Sequence, residues 1–543
     1  MKKVLVIGLD GATFDIIKPL VKKGELPTLA KLMKEGVHGR LKSTIPPASI
    51  PAWPSFMTGV NPAKHGCFDF MKRHKNEYYG RIITSKDMKA PTLWKILNKF
   101  DIKSIVINVT GTYPPEEING IIISGLLTPK GKNFVYPISL QNEIEEKGYR
   151  IFVDDDVLKA SDEVLFLELC KLEEKRVEVA IHLMKVYEWD FFIIMIIGTD
   201  TIQHMLWNNK DLISKYYEKM DELIANIIEN IEEDKTDIFV ISDHGFGELK
   251  KIVHINKWLH DLGLLAHRKV NISSTREFKI NSLRGEGISR TKYRILLSKL
   301  GVTQENIAQV FGKFTVLKAI YRFLPKKSKK MFHELPKTNL DIDWSNTKAF
   351  LASFFGTETQ AIMINLKGRE PQGIVDHDEY NRLRDYIYCK LKELEDPETG
   401  EKIFENIFKK EEIYRGPYIS EAPDIVTLLK GEYKFSVDLK AKEIITPLNK
   451  IQGSHRLYGI LIAYGPDIKQ DMTIENAQII DLAPTILHIL DVPIPKDMDG
   501  RVLKEIFAED SDIADREIRY QESALEEERI KSKIKYLKKI GKI

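Results

Sequence analysis

The sequence has little cysteine, with only three cysteines among 543 residues. Cys67, Cys170 and Cys389 are far apart, odd in number and without a CxxC spacing, which argues against a disulfide framework and against a thiolate metal site. Because an unpaired cysteine otherwise behaves as a small apolar side chain, we expect all three to be buried.

A long hydrophobic run is also missing. The longest apolar run covers residues 191–197 and falls far below the roughly 18 to 20 residues that cross a bilayer. The amino-terminal apolar run ends at Asp10 and is shorter than the roughly 7 to 15 apolar residues of a secretory signal. We therefore expect a soluble, cytoplasmic protein without a signal peptide or transmembrane segment, and we expect its first apolar run to be a β-strand.

The charge is not of one sign. The chain has 82 Lys and Arg against 79 Asp and Glu, with a formal net charge of +3, so the composition gives no reason to expect a nucleic-acid partner. The basic stretch 313–330, which begins at Lys313 and ends at Lys330, has seven Lys or Arg, interleaved apolar residues and no acid. We predict that it is the solvated outer face of a lid helix; a cover over an anionic substrate and contact with an anionic membrane surface are the alternatives.

The order of the apolar segments predicts an α/β fold with a mostly parallel sheet sandwiched by helices. A chain of this length exceeds one ordinary core. We therefore expect a discontinuous core over residues 1–266 and 344–510, a basic, mainly helical insertion at 267–343, and a charged tail at 511–543. The predicted strands of the core cover residues 3–9, 104–109, 121–126, 191–197, 238–241, 349–354, 360–366 and 459–463.

Two adjacent polar residues follow the apolar run at 238–241. Asp243 and His244 both carry side chains that bind metals, and Gly245 ends the predicted strand. Ligands of open α/β sheets bind beyond the carboxyl ends of such strands, where the backbone turns and neighbouring side chains can approach one site. The alternative is a capping Asp beside a hydrogen-bonded His.

Other predicted strand ends carry similar residues. Asp10 ends the first strand, where a helix N-cap is its structural alternative. Asp200 and His204 follow the run at 191–197, and their i, i+4 spacing on a helix would let one metal contact both, unless His204 only packs among apolar neighbours. His455 lies in a predicted loop at 453–456. Oxygen and imidazole ligands without thiolates suit Zn²⁺ or Mn²⁺, and their number is sufficient for two ions.

The segment 44–66 is rich in proline. Pro47 favours an extended approach, and Pro51 fits the first turn of a helix that runs to Thr58, which places Ser49 at the helix N-terminus. The free N–H groups and the helix dipole there favour a phosphate and an ionised hydroxyl. The structural alternative is that Ser49 is only an N-cap.

Seven short motifs stand out along the chain: Gly8-Leu-Asp-Gly11, Pro47-Ala-Ser-Ile-Pro-Ala-Trp53, Thr58-Gly-Val-Asn-Pro-Ala-Lys-His-Gly66, Asp200-xxx-His204, Ser242-Asp-His-Gly245, Gly453-Ser-His455 and Asp481-Leu-Ala-Pro-Thr485. Together these motifs resemble the alkaline phosphatase superfamily, and most closely its type I phosphodiesterase/nucleotide pyrophosphatase family. They follow the family's order along nearly the whole chain, apart from the basic insertion and the tail. The resemblance implies an alkaline phosphatase-like fold.

The resemblance also implies a set of site residues with two divalent metal ions, Zn²⁺ or Mn²⁺. One ion would be held by Asp200, His204 and His455. The other would be held by Asp10, Asp243 and His244. Ser49 would be the nucleophile between them and would itself contact metal. Asn108 and Thr110, at the end of the strand 104–109, are candidates for contact with the substrate.

The implied activity is hydrolysis of a small-molecule phosphoester or phosphoanhydride through a phosphoserine at Ser49. The family's nucleotide pyrophosphatases commonly have Thr as nucleophile and a nearby Asn as phosphate contact, whereas residues 50–53 contain no Asn. A phosphonate hydrolase, a phosphomonoesterase and a phosphomutase would use the same metal set. A sulfatase would need Arg where Trp53 stands. The alternative of another class is a protein that binds anionic surfaces through residues 313–330 and has an inactive hydrolase fold.

Overall fold

The structure is a computed structural model that describes residues 2–73, 78, 80–154, 156–267, 342–351 and 360–522. The basic stretch 313–330 and almost all of the predicted insertion lie outside the described residues, as does the chain beyond residue 522. The division of the chain into core, insertion and tail therefore stays a prediction.

The described residues form alternating strands and helices, joined in several places by short 3-10 turns. The strands are β1 (Lys3–Leu9), β2 (Val37–Lys42), β3 (Met71–Arg73), β4 (Gly80–Ile82), β5 (Ser104–Ile107), β6 (Gly120–Ile123), β7 (Val135–Tyr136), β8 (Phe191–Ile196), β9 (Thr236–Ile241), β10 (Gly245–His254), β11 (Ala349–Leu351), β12 (Ala361–Ile364), β13 (Phe404–Lys409), β14 (Ile425–Leu429), β15 (Tyr433–Ser436), β16 (Ile445–Arg456), β17 (Tyr458–Tyr464), β18 (Met472–Ile474), β19 (Ile494–Pro495) and β20 (Tyr520–Gln521). The helices are α1 (Phe14–Lys23), α2 (Pro27–Lys34), α3 (Ser49–Thr58), α4 (Pro62–His65), α5 (Leu93–Asn98), α6 (Gln141–Glu146), α7 (Asp162–Val186), α8 (Gly198–Leu206), α9 (Lys210–Ile228), α10 (Ile255–Asp261), α11 (His377–Glu393), α12 (Lys410–Ile413), α13 (Leu482–Ile489) and α14 (Asp512–Asp515). Each of these helices is too short or too polar to span a lipid bilayer.

A nine-stranded sheet lies at the centre, in the order β18-β2-β17-β9-β1-β8-β5-β6-β7. β1 is parallel to β8 and β9, β5 is parallel to β6 and β8, and β2 is parallel to β18. β17 runs antiparallel to β2 and β9, and β7 runs antiparallel to β6. The predicted α/β fold with a mostly parallel sheet is therefore confirmed.

Helices cover both faces of this sheet. Alternate residues of each central strand point to opposite faces, and the apolar side chains on both faces are buried beneath helices. Leu5 and Ile7 belong to the core beneath α1, α2, α7 and α9. Val4 and Val6 belong to the core beneath α3, α5 and α13. Every residue of β8 and β9 is buried, which explains the uninterrupted apolar sequence of β8 and of β9 from residue 238 onwards. Towards the carboxyl edge of the sheet, polar residues therefore appear only after these strands end.

Four smaller sheets lie outside the central one in the part of the chain that the structure describes, and two of these are the two-stranded pairs β3–β4 and β19–β20. Strands β11, β12, β14 and β13 form a four-stranded sheet, and β15, β10 and β16 form a three-stranded sheet. Both sheets contribute to one apolar cluster that includes Phe350 and Phe435. The apolar runs at 349–354 and 360–366 do begin strands, β11 and β12, but these strands form an antiparallel sheet of their own. An apolar run predicts a strand, but the run alone does not identify its partner.

The prediction of a loop at residues 453–456 is wrong. These residues form the end of β16, which pairs antiparallel with β10 and places His455 opposite Phe246. Glycine, serine and histidine lack the apolar alternation that marks a strand in the sequence. Their strand conformation depends on hydrogen bonds to β10, which is remote in the chain.

The cysteines differ in their burial. Cys67 and Cys170 are buried, as predicted, and Cys389 is exposed. The prediction for Cys389 is wrong because α11 packs on its neighbours through Leu383, Ile387 and Leu391, and position 389 lies off that apolar stripe.

Asp237 is a buried carboxyl at the amino end of β9, the end opposite Asp243. Burial first, and then the nearby Asp467 carboxyl, raise the pKa of Asp237 to about 8. The folded protein therefore holds a proton that the unfolded chain releases above about pH 4. The contribution of Asp237 to stability should consequently fall by about 1.4 kcal/mol per pH unit as the pH rises from about 4 to 8, and this slope should level off above the folded pKa.

We expect Asp237→Asn to remove this slope, so that the variant has a higher Tm than wild type at pH 8 and a similar Tm near pH 4. Thermal unfolding across this pH range measures the effect. Asp234→Asn, which changes an exposed carboxyl, is the control and should retain the wild-type slope. Parallel pH profiles for wild type and Asp237→Asn would contradict the prediction.

Candidate active site and metal centre

Three neighbouring strands end at the same level of the sheet. Gly8 in β1 lies opposite Met195 in β8 and Ile241 in β9. The residues that follow the three strands therefore meet at one edge, which is where open α/β sheets bind ligands. Asp10, helix α8 and the pair of Asp243 and His244 all start from this edge.

Asp10, Asp243 and His244 form the first cluster, and all three are buried. His244 Nε2 is 3.6 Å from Asp10 Oδ1 and 3.4 Å from Asp243 Oδ2. The Gly11 backbone N–H donates to Asp243 Oδ1 over 3.2 Å and fixes that carboxylate. One ligand atom from each residue lies within 4.8 Å of the others, so the cluster is a candidate metal-binding group.

Asp200, His204 and His455 form the second cluster. The Nε2 atoms of the two histidines are 2.9 Å apart, and they lie 3.3 Å and 3.2 Å from Asp200 Oδ1. Asp200 and His204 share one face of α8, as their spacing predicted, and His455 comes from β16. The rings of His455 and His244 stack with centroids 3.6 Å apart, so the two clusters adjoin.

Backbone carbonyl groups orient two of the histidines. His244 Nδ1 lies 3.0 Å from the Gly245 carbonyl oxygen, and His455 Nδ1 lies 3.1 Å from the Pro47 carbonyl oxygen. Because a carbonyl oxygen only accepts, each Nδ1 carries the proton and each Nε2 directs a lone pair at the site. Burial also lowers the pKa of His244, which favours its neutral form. Such second contacts are typical of metal-binding histidines.

Two of the carboxyl groups of the site have strongly shifted pKa values. Burial, followed by the nearby Asp243 and Asp200 carboxylates, raises the pKa of Asp10 well above its usual range. Burial would raise the pKa of Asp200 as well, but His204 and His455 hold it well below its usual range. Among the described residues, Asp200 Oδ1 and Asp243 Oδ2 are buried without a hydrogen bond of good geometry. A set of buried carboxylates and imidazoles fits divalent cations.

Ser49 begins α3 beside Asp10 and His244 of the first cluster. Its Oγ is 3.4 Å from Asp10 Oδ1 and 3.4 Å from His244 Nε2. Ala48 is the N-cap residue, and no N-cap side chain bonds the first turn. Ile50, next in the chain, has non-helical backbone angles and sets Ser49 apart from the regular helix. The hydroxyl of Ser49 is thus directed at the site and does not act as the helix cap.

Two aromatic residues complete the site and were not predicted as functional. Trp53 Nε1 donates to Asp10 Oδ2 over 3.1 Å. No local pattern indicates this contact, because the non-helical Ile50 separates Ser49 from the regular helix that carries Trp53. The Phe246 ring packs edge-on against His204 with centroids 4.7 Å apart. Its role depends on the pairing of β10 with β16, which no local pattern indicates.

Asn108 and Thr110 lie beside Met195 of β8. The Asn108 side-chain amide donates to the Met195 carbonyl oxygen over 2.8 Å, and Thr110 Oγ1 is 3.9 Å from Met195 Sδ. Both residues are 0% exposed. These contacts account for the burial of the two residues, and their predicted contact with substrate stays a prediction.

Gly11 lies between the two clusters with a left-handed backbone, φ +68°. A Cβ there would be 3.1 Å from Phe246, 3.3 Å from His244 and 3.4 Å from Asp200. We expect Gly11→Ala to cost about 1 to 2 kcal/mol of stability and to weaken Zn²⁺ binding in calorimetric titration, because the neighbouring side chains must move. Gly24→Ala, at φ +79° with nothing within 4 Å, should cause the strain alone. Equal Zn²⁺ affinity in both variants would contradict this prediction.

Several solved structures share this fold, including the following two. Murine ectonucleotide pyrophosphatase/phosphodiesterase 5, as an inactive variant in complex with AMP, is 13% identical with a TM-score of 0.51, over 94% of this chain and 100% of that chain. Phosphonoacetate hydrolase from Sinorhizobium meliloti, in complex with phosphonoformate, is 13% identical with a TM-score of 0.55, over 89% of this chain and 94% of that chain. At this level of identity the likeness shows a common fold.

The sequence itself was compared with curated proteins and with family models. The comparison with curated proteins found no match. The model of the family described as type I phosphodiesterase / nucleotide pyrophosphatase matches residues 4–456, a range that contains both clusters and Ser49. The predicted resemblance is thus confirmed, and the chain belongs to the type I phosphodiesterase / nucleotide pyrophosphatase family of the alkaline phosphatase superfamily.

Proposed function

We propose that this protein is a metal-dependent hydrolase of small phosphoesters, most specifically phosphodiesters, with Ser49 as the nucleophile. The observation that supports this most directly is the position of Ser49 Oγ, 3.4 Å from both Asp10 and His244 of the first cluster. A hydroxyl beside a candidate metal group at a helix N-terminus is the arrangement that an activated oxygen nucleophile needs. Membership in the family supports the same class of reaction.

Two divalent ions fit the two clusters. Asp10, Asp243 and His244 would hold one ion, with Ser49 beside it. Asp200, His204 and His455 would hold the other. We propose Zn²⁺ for both, with Mn²⁺ as the alternative, because carboxylate and imidazole ligands suit either ion. When bound, the ions lower the pKa of the Ser49 hydroxyl and offset the negative charge on the phosphoryl oxygens.

The protein residues then position the reaction. Ser49 Oγ gives up its proton to solvent and attacks phosphorus, and the bond to the leaving oxygen breaks, with its electron pair going to the leaving group. This step leaves a phosphoserine. Water then attacks the same phosphorus, and Ser49 Oγ departs and regains a proton. The positive end of the α3 dipole would favour the negative charge of a phosphoryl oxygen bound beside Ser49.

The surrounding contacts hold this geometry before substrate binds. Trp53 fixes one oxygen of Asp10, and the Gly11 N–H fixes one oxygen of Asp243. The carbonyl groups of Gly245 and Pro47 keep the lone pairs of His244 and His455 directed inward. Such preorganisation reduces the rearrangement that the reaction requires.

A substrate panel with metal analysis tests the proposal. We expect about two ions per chain and the highest turnover with bis-p-nitrophenyl phosphate, compared with p-nitrophenyl phosphate, phosphonoacetate and a nucleotide pyrophosphate. Metal-loaded protein that hydrolyses none of these substrates would overturn the assignment as a hydrolase. If such protein also bound anionic liposomes after metal removal, the surface-binding alternative would be supported.

Phosphonate hydrolysis is the second candidate function. The fold likeness includes a phosphonoacetate hydrolase. Residues 50–53 also contain no Asn, so they do not supply the phosphate contact that is common in the family's nucleotide pyrophosphatases. Preferential turnover of phosphonoacetate in the same panel would favour this candidate over the phosphodiesterase.

A further inference from the structure

The loop that follows β1 is held by three side chains from other parts of the site. Its three successive carbonyl groups, at positions 10, 11 and 12, each accept a hydrogen bond. Thr199 Oγ1 donates to the Asp10 carbonyl oxygen over 2.6 Å, and Gln203 Nε2 donates to the Gly11 carbonyl oxygen over 2.9 Å. Ser242 Oγ donates to the carbonyl oxygen of residue 12 over 2.8 Å. All three donor residues are 0% exposed, so water does not replace these bonds.

Gln203 has its hydrogen-bonding groups fully engaged. It lies on α8 between Asp200 and His204 in sequence, but its side chain faces the interior. Its Nε2 also donates to the Thr199 carbonyl oxygen over 2.9 Å, and the Tyr217 hydroxyl donates to its Oε1 over 3.4 Å. The amide is thus held in one orientation, and α8 is tied through it to the loop after β1.

Gly11 continues this connection to the first cluster. Its carbonyl oxygen accepts from Gln203, and its N–H donates to Asp243 Oδ1. A Cβ on Gly11 would lie 3.3 Å from His244 and 3.4 Å from Asp200, so the residue stands between the two clusters. A continuous path of buried bonds therefore runs from α8, which carries ligands of one cluster, to a ligand of the other.

We propose that Gln203 is a positioning residue that couples the two clusters, so that an ion bound in one cluster orders the other. This inference rests on the proposed function, because it assumes that both clusters bind metal. An ion in the second cluster would fix α8, and Gln203 would transmit that order to Gly11 and Asp243. The first cluster would then already be ordered when the other ion binds there. The two ions repel each other equally in wild type and in the variant. The difference in coupling between the two proteins therefore measures the contribution of Gln203.

Calorimetric titration of the metal-free full-length protein with Zn²⁺ tests the coupling. In Gln203→Met, which keeps the length of the side chain and removes its hydrogen bonds, we expect the weaker of the two dissociation constants to rise by about tenfold more than the tighter one. Gln141→Met is the matched control, because Gln141 is also buried and accepts hydrogen bonds from the backbone N–H groups of residues 134 and 135, beside the edge strand β7. It should leave the ratio of the two constants unchanged.

Several outcomes would overturn the proposal. If both constants change by the same factor in Gln203→Met, or if the ratio changes as much in Gln141→Met, Gln203 does not couple the clusters. If Gln203→Met fails to fold, as judged by circular dichroism, Thr199→Val removes a neighbouring bond to the same loop and should shift the ratio in the same direction; an unchanged ratio there counts against the proposal. Wild-type protein that binds a single ion overturns the coupling alone, whereas protein that binds none overturns the proposed function as well.

Discussion

Replacement of Ser49 by alanine should lower kcat by at least about a thousandfold while two metal ions remain bound. The variant loses the hydroxyl oxygen that stands 3.4 Å from both Asp10 and His244, and no bond to phosphorus can then form at this position. The carboxylate and imidazole groups of both clusters are unchanged. Activity should therefore be lost without a matching loss of metal.

The measurement is kcat with the best substrate of the panel, together with metal content by elemental analysis. Ser55→Ala is the matched control: Ser55 lies on the same helix, α3, is buried, and contacts His65 Nε2 over 3.0 Å, away from the two clusters. It should keep kcat within about twofold of wild type, since it removes no group from the reaction. Full activity in Ser49→Ala would remove Ser49 from the role of nucleophile.

Replacement of Asp10 by asparagine should have opposite effects on the metal-free and the metal-loaded protein. In the metal-free protein, burial and the carboxylates of Asp243 and Asp200 raise the pKa of Asp10. A neutral amide removes that cost and still offers an oxygen to Trp53, so the Tm of the metal-free variant should be higher than that of metal-free wild type. With Zn²⁺ present the order should reverse, because wild type gains roughly 3 kcal/mol when free ion is about 100 times its Kd.

The sign of this effect follows from the direction of the pKa shift. A carboxyl whose pKa is raised on folding opposes folding once the pH exceeds its unfolded pKa, near 4, and the cost grows until the pH passes its folded pKa. At pH 7.5 the metal-free wild type therefore bears a cost that Asp10→Asn lacks. We also expect at least about a hundredfold weaker Zn²⁺ binding, since removing a direct ligand should cost more than removing its outer partner.

Thermal melts at pH 7.5, with and without Zn²⁺, measure the reversal. Asp221→Asn is the control, because Asp221 is also buried with its pKa raised by burial, but it accepts bonds from the backbone of Thr28 and Leu29. Its response to Zn²⁺ should match that of wild type. An equal Zn²⁺-dependent rise in Tm for Asp10→Asn and wild type would show that Asp10 does not contact a metal.

The local elements of the site were predictable from the sequence. Uninterrupted apolar runs mark strands that are buried on both faces, and the residues after them lie at the carboxyl edge of a parallel sheet. For this reason Asp10, Asp243 and Asp200 could be placed at one edge before any coordinates. The i, i+4 spacing of Asp200 and His204 predicted their shared helix face, and the prolines around Ser49 predicted the start of α3.

The remaining parts depended on contacts between distant segments. His455 lies near the end of β16, where the polar sequence lacks the apolar alternation of a strand. This part of the strand forms through its pairing with β10. The same pairing brings Phe246 against His204, and it was not predicted for the same reason. Apolar runs near 349 and 361 indicated strands, but only the structure showed that these strands form a separate antiparallel sheet.

The sequence by itself determined the α/β alternation, the family, and which side chains end the central strands, because periodicity and strand ends are properties of short segments. Tertiary structure decided how these side chains meet. It placed the rings of His244 and His455 3.6 Å apart, put Gly11 between the clusters, and tied α8 to the loop after β1 through Gln203. The physical reason is that such contacts depend on the register of strands and on helix packing across the sheet, which residues far apart in the chain determine together.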